Sequence, residues 1–364
     1  MRPVATWIIR FWPIVVPIIG IVLLVAVWNV TIGPVLVVLV ALALAGTVLA
    51  AVQHAEVVAH KVGEPFGSLV LAVAVTVIEV ALIVTLMTGG KDTSTLARDT
   101  VFSAVMITMN GIVGLSLLLG ASRRTTTSFN AEGTGAALAT VTALATLTMV
   151  LPTFTSAPGP RFSPSQLAFA AIASLALYGM FVFTQTVAHR DFFLPVRSNG
   201  KPVDDDNHAA APTSRTALIS LALLVVALVA VVGLAKLESP SIEAGVAAIG
   251  FPQSFVGVVI ALLVLLPEGI AAAKAASRKR MQTSMNLALG SAMASIGLTI
   301  PSIAIASIWL TGPLILGLGA SQIVLLTLTV VVSVLTIMPG RATRLHGGVH
   351  LVLFAAFLFL SIVP

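Results

Sequence analysis

The sequence predicts an all-α polytopic membrane protein of about eleven transmembrane helices, one N-terminal helix plus two inverted five-helix repeats. Three observations lead there. Of 364 residues, 58% are hydrophobic and only 9% charged, with a mean hydropathy of +1.10, whereas a soluble domain carries about 25% charge. Apolar stretches long enough to cross about 30 Å of hydrocarbon as a helix recur along the chain. The basic residues sit in the short polar segments between them, so the pI near 10.3 reflects membrane topology and gives no reason to invoke nucleic acid. With no cysteine, disulfides, thiolate chemistry and Cys-ligated metals are excluded.

The first span, about 12–29, follows Arg2 and Arg10 in the manner of a signal peptide. No small-residue cleavage site follows Val27-Trp28-Asn29, so residues 1–33 are read as a retained helix. Five spans then form the first repeat, 34–187: about 34–53, 66–88, 100–121, 134–152 and 166–187. The longest interruption, 188–214, holds Arg190, Asp191, Arg197, Lys201, His208 and the run Asp204-Asp205-Asp206, the composition of a flexible cytoplasmic linker. Three adjacent carboxylates lack the glycine-paced spacing of an EF-hand, so a solvated linker is favoured over a Ca²⁺ sensor. The second repeat, 215–364, has spans at about 215–236, 253–273, 284–308, 313–338 and 347–363.

Loop charge tests this count. A cytoplasmic N-terminus places fifteen of the nineteen Lys and Arg residues inside and leaves Lys91, Arg98, Arg161 and Lys236 outside. One span more or fewer scrambles that asymmetry. The expected setting is a bacterial cytoplasmic (inner) membrane, with the C-terminus periplasmic or extracellular. A shift of 189 positions places Phe66 on Phe255, Glu79 on Glu268 and Asn110 on Thr299. Five spans per repeat force opposite orientations, the plan of many secondary transporters, whose sites form near the midplane.

Glu79 and Glu268 are each the fourteenth residue of a 22-residue apolar stretch, Phe66–Met87 and Phe255–Ala276. Such a helix rises about 33 Å, so both carboxyls are expected near the bilayer midplane. A carboxylate there costs several kcal/mol unless it pairs with a cation, a proton or water. Two at matching depth, on oppositely oriented helices, are read as an ion site and as the candidate metal ligands. The alternative is a protonated structural carboxyl occurring twice in register.

Neighbouring residues suit a cation. Pro267 lacks the amide that would bond the Leu263 carbonyl, and a freed carbonyl is a hard ligand for Ca²⁺ or Na⁺. Thr76 stands one turn before Glu79. In the following spans Ser103, Asn110 and Gly114 are spaced for one helix face, as are Ser291, Ser295, Thr299 and Ser302. For the serines and glycines helix packing is the favoured reading; for Asn110, ligation and packing stand level. His54, Glu56, His60 and Glu64, between the second and third spans, are candidates for cytoplasmic proton access or gating, though solvated interfacial residues are the favoured reading.

The stretch from Gln53-His54-Ala55-Glu56 to Gly63-Glu64-Pro65-Phe66-Gly67-Ser68-Leu69 resembles the start of the first signature of bacterial ChaA-type cation/proton antiporters, members of the cation/Ca²⁺ exchanger superfamily. Phe255-Val256-Gly257 to Leu266-Pro267-Glu268-Gly269, with Met285-Asn286-Leu287 and Gly290-Ser291, resembles the second. Arg98-Asp99-Thr100 and Gly114 to Gly120 agree as well, so the signatures occupy 64–120 and 252–302. The resemblance implies a secondary antiporter exporting cytoplasmic Ca²⁺, or else Na⁺ or K⁺, in exchange for protons by alternating access around two midplane glutamates, with Glu79 and Glu268 shared between cation and protons and Asn110 and Ser291 as polar neighbours. It implies no cofactor, inorganic cations, protons and the lipid bilayer as partners, and is compatible with a homo-oligomer. The wider superfamily has Gly-Asn before each signature glutamate, where this chain has Val75-Thr76 and Val264-Leu265. Two neutral oxygen ligands are therefore missing, which leaves room for Na⁺ or K⁺. The rival classes are a membrane-embedded enzyme and a passive channel. For the enzyme, the chain has neither His-Glu-x-x-His nor Gly-x-Ser-x-Gly, and Tyr178 is its one tyrosine.

Overall fold

The computed structural model describes residues 2–30, 33–63, 66–89, 93–121, 126–194, 212–310 and 312–364, with side chains other than those of residues 2–10, 68 and 89. In chain order the helices are α1 (Arg2–Val27), α2 (Pro34–Val62), α3 (Phe66–Gly89), α4 (Leu96–Met106), α5 (Val113–Gly120), α6 (Ala131–Ala145), α7 (Pro164–Phe183), α8 (Ser214–Ala248), α9 (Phe255–Ser277), α10 (Met281–Gly297), α11 (Thr299–Ala306), α12 (Ala320–Ile337) and α13 (Arg344–Ile362). A π-helical turn, Ile107–Ile112, joins α4 to α5, and another, Thr146–Val150, extends α6. Strands β1 (Thr127–Ser128) and β2 (Arg341–Ala342) pair antiparallel. Ten helical stretches among the described residues are long and apolar enough to cross a membrane, and Phe11–Val27 is a shorter apolar helix. The protein is an all-α polytopic membrane protein.

Local chemistry explains where these helices begin and end. Pro34 opens α2 with a ring already set for helical φ, and Gly63, at φ 75°, closes it by donating to the Ala59 carbonyl at 2.9 Å. The Asn130 side chain accepts from the amides of Glu132 and Gly133 at the start of α6, and Ser163 with Gln166 forms a capping box on α7. The sequence reading ended the second span at 53, because hydropathy falls there. The helix continues to Val62, since His54, Glu56, His60 and Lys61 are polar without breaking a helix.

Three other spans differ from expectation. The seventh, expected over 215–236, runs through Pro240 to Ala248. The ninth, expected over 284–308, breaks at Leu298 into α10 and α11. The tenth, expected from 313, begins at Ala320. Residues 313–319 are apolar but carry Pro313, Gly317 and Gly319, and they run non-helically. Their amides bond elsewhere: Ile315 to the Ser94 carbonyl, Gly317 to that of Pro160 and Leu318 to that of Met149. The first residues of the expected linker are also folded. Arg190–Phe193 forms a 3₁₀ turn, and Phe193 meets Phe181 edge to face at 5.6 Å. Arg197, Lys201, Asp204, Asp205, Asp206 and His208 lie outside the described residues.

The chain divides into two compact units, Met1–Thr93 with Asn207–Gly250, and Ser94–Asp206 with Phe251–Pro364. Repeats are a property of chain order and compact units one of contact, and each unit takes helices from both sequence halves. In the first unit α1, α2, α3 and α8 pack together. Small residues allow the approach: a Cβ on Gly20 would lie 2.7 Å from Thr47 Oγ1, and one on Gly233 would overlap Leu24. In the second unit α4, the π-turn and α5 are the most enclosed stretch. Val101, Val105, Met106, Asn110 and Leu117 there are 0% exposed.

Candidate functional site

In the first unit Glu79 lies on α3 at 2% exposure, with Thr76 one turn before it at 6%. Its surroundings on the helix are apolar: Ile78, Leu82 and Ile83 are buried too. A carboxyl at such a position is stable when its charge is neutralised, by a proton or by a cation.

Of the four residues expected at the cytoplasmic edge, three are described. His54 is buried on α2, and its Nε2 stands 2.8 Å from the Pro13 carbonyl on α1. A carbonyl only accepts, so Nε2 carries the proton. Glu56 and His60 are exposed on the last turns of the same helix. Glu64 lies outside the described residues.

In the second unit Glu268 sits on α9, half-buried. The helix runs unbroken through Pro267, so the half-buried Leu263 faces a proline nitrogen in place of an amide. Helix α9 packs along α4, the π-turn and α5, and also against α10. Two glycines set its path: a Cβ on Gly257 would be 2.8 Å from the Asp99–Thr100 backbone, and one on Gly269 would be 3.6 Å from Ile112 Cδ1. Gly269 follows Glu268 directly, so the glutamate's helical turn adjoins the π-turn that carries Asn110. Ser291 is half-buried on α10, while Ser295 and Thr299 are buried on either side of the break at Leu298.

Asn110 is fully buried, and both ends of its amide are engaged. Nδ2 donates to Thr329 Oγ1 on α12 at 2.9 Å. Oδ1 lies 3.1 Å from Nδ1 of His350 on α13, whose Nε2 stands 3.2 Å from Thr336 Oγ1. Ser333, between the two threonines on the α12 face, is 2% exposed, and its hydroxyl has no hydrogen-bond partner among the described residues. Sequence reasoning missed these four residues. The signal for them was present: a histidine inside an apolar span, and Thr329, Ser333 and Thr336 at i, i+4 and i+7.

Ser103 lies two helical turns before Asn110, outside this network. Its hydroxyl donates to the Asp99 carbonyl, and it lines a cavity of about 220 Å³ together with Arg98, Asp99, Ser254 and Gln322. Asp99, 3% exposed, is paired with Arg98 at 2.8 Å and accepts from Thr95 Oγ1 at 2.8 Å. Ser103 therefore belongs with the Arg98–Asp99 pair. The structure brings Glu268, Leu263, Asn110 and the α10 serines onto neighbouring elements of the second unit, and it places Glu79 with Thr76 in the first.

The sequence profile of the sodium/calcium exchanger protein family matches residues 32–187 and 219–363. The chain belongs to that family. The two matched stretches leave out the polar interruption, and each holds one of the two glutamates. Among relatives of this exchanger, the protein y4hA from Sinorhizobium fredii is 48% identical over 327 residues, covering 88% of this chain and 87% of that protein. The sodium-potassium/proton antiporter ChaA of Escherichia coli is 37% identical over 328 residues, covering 89% of each. Solved structures share the fold. Native YfkE superposes with a TM-score of 0.71 at 16% identity, over 97% of this chain and 100% of that one. The H⁺/Ca²⁺ exchanger CAX gives 0.70 at 15%, over 96% and 88%. The chain is thus a transporter and not an enzyme.

Proposed function

We propose that this exchanger is a secondary antiporter that exports a cytoplasmic cation across a bacterial inner membrane in exchange for protons. The observation that carries the reading is Glu268 on α9, packed along the π-turn that holds the buried Asn110. A carboxylate beside neutral oxygens is suitable chemistry for a hard cation. A proton and a cation each neutralise the same carboxylate, so the two compete without a separate coupling device. Glu79 with Thr76 serves the same purpose in the first unit. Two carboxylates match one Ca²⁺, two Na⁺ or two protons in charge, and access to them alternates between the two sides of the membrane. Among the described residues no three or more His, Asp or Glu side chains cluster to hold a metal. In this reading the cation is held by carboxylate together with neutral hydroxyl, amide and carbonyl oxygens.

The relative at 37% identity is named for sodium, potassium and protons, while the solved structure named for Ca²⁺ and H⁺ shares 15%. Thr76 and Leu265, standing where the wider superfamily has amides, point the same way, so Na⁺ and K⁺ are the first cations to assay and Ca²⁺ the third. The test uses purified protein in liposomes with an imposed ΔpH, read by a pH-sensitive dye as each cation is added. Dissipation of ΔpH is expected with at least one of the three. Glu79→Gln and Glu268→Gln should each lower the rate at least about a hundredfold. Full activity in either variant overturns the assignment of that carboxyl, and conduction without proton movement makes the protein a channel.

A further inference from the structure

Asn110 poses a chemical problem that its neighbours solve. A primary amide on a helix can swing about χ2 and present either its oxygen or its NH₂ to a ligand, and only the oxygen binds a cation. Here the swing is blocked at both ends. Thr329 Oγ1 receives Nδ2 at 2.9 Å, and Oδ1 meets the His350 ring at 3.1 Å. Because Oδ1 only accepts, His350 Nδ1 carries a proton, and Nε2, 3.2 Å from Thr336 Oγ1, holds the ring against α12. Asn110, Thr329 and His350 are each 0% exposed and Thr336 is 1%, so water does not compete for these bonds.

The backbone is built to bring these groups together. Helices α5 and α13 cross at glycines: a Cβ on Gly347 would stand 2.8 Å from the Gly114 carbonyl, and one on Gly114 would stand 3.0 Å from His350 Cβ. A side chain at either place would separate the helices and draw the imidazole away from the amide. Asn110 itself lies in a π-turn, where the i→i+5 spacing alters the direction of its side chain relative to an α-helix.

We propose that His350 is a positioning residue for transport: with Thr329 it locks the Asn110 amide so that the second lone pair of Oδ1 is preset as a neutral cation ligand. His350 does not touch the cation, and its part is to hold an oxygen in one orientation before the cation arrives. Outer partners that fix a ligand are worth about 10- to 100-fold in affinity. Loss of His350 should therefore weaken cation binding far more than turnover. The inference rests on the transport reading above, in which Glu268 and Asn110 stand on helical segments that pack together.

The experiment is the liposome assay, with the apparent KM and kcat for Na⁺, K⁺ and Ca²⁺ measured separately. His350→Ala should raise KM about tenfold or more and leave kcat within about twofold. His350→Asn, whose side-chain amide can place an N–H close to that of Nδ1, should recover most of the loss. A wild-type KM in His350→Ala, or a KM defect that His350→Asn leaves untouched, overturns the proposal. If His350→Ala fails to insert, Thr329→Val removes the other anchor and decides alone, an unchanged KM being fatal. Two controls separate this inference from the reading beneath it. Normal transport by Glu268→Gln overturns the assignment of Glu268, on which the site beside the π-turn rests. An inactive Glu268→Gln, with a raised KM in Asn110→Ala and normal His350 variants, refutes only the positioning role.

Discussion

Pro17 has no amide to offer the carbonyl of Pro13 one turn earlier, and His54 supplies the missing donor from α2 at 2.8 Å. Two prolines four apart within α1 leave a gap in the helical ladder, and in a bilayer no water fills it. His54 thereby has a structural role, and it is buried where the sequence reading favours a solvated interfacial residue. His54→Leu should lower stability by about 1–3 kcal/mol, the usual cost of a buried acceptor left unmade. The melting midpoint in detergent measures this. The rescue is more telling: Pro17→Ala restores an amide in register with the Pro13 carbonyl, so the double variant should regain most of the lost midpoint. A double variant no more stable than His54→Leu alone would show that the bond does not matter.

At the scale of elements, α13 has two adjacent glycines with opposite roles. Gly347 lies against the Gly114 carbonyl and the Leu118 amide, both 2.8 Å from where its Cβ would stand, while nothing lies within 4 Å of a Cβ on Gly348. Gly347→Ala should cost roughly 1–3 kcal/mol through overpacking. Gly348→Ala should be neutral or slightly stabilising, because it only removes backbone freedom in the unfolded chain. Paired thermal melts check the contrast, and equal effects at the two positions would refute the crossing. The sequence reading weighed Gly114 as packing and Asn110 as ligand or packing, which was as far as spacing reaches. It could not show the π-turn, because a one-residue widening of a helix leaves hydropathy unchanged. Nor could it bring His350 to Asn110, since 240 residues separate them and only the crossing joins them. The apolar stretches at 66–88 and 253–273 were legible nearly to their ends, because a long uninterrupted apolar run has few alternatives to a helix. Residues 313–319 were equally apolar yet not helical, since hydropathy reports burial and says little about φ and ψ where Gly and Pro intervene.

For the whole molecule, the expectation still open to direct test is orientation. Fifteen of nineteen basic residues fall inside if the N-terminus is cytoplasmic, and each is held back during insertion by the cost of crossing the membrane. The absence of cysteine makes the measurement clean, because a single introduced thiol is the only one in the chain. Ser156, in the exposed stretch after the fifth span, and Lys279, between α9 and α10, are both solvent-accessible and should lie on opposite sides. With Ser156→Cys, a membrane-impermeant maleimide should label intact spheroplasts and leave sealed inverted vesicles unlabelled. With Lys279→Cys the pattern should reverse. Labelling of both from the same side would break the odd span count between them, and the inverted-repeat reading would fall with it. Labelling from opposite sides but in the reversed sense would keep the span count and overturn only the cytoplasmic N-terminus. Export of a cytoplasmic cation against entering protons in the inverted-repeat reading needs the span parity, but not the sign of the orientation. The two outcomes therefore bear on different halves of the proposal.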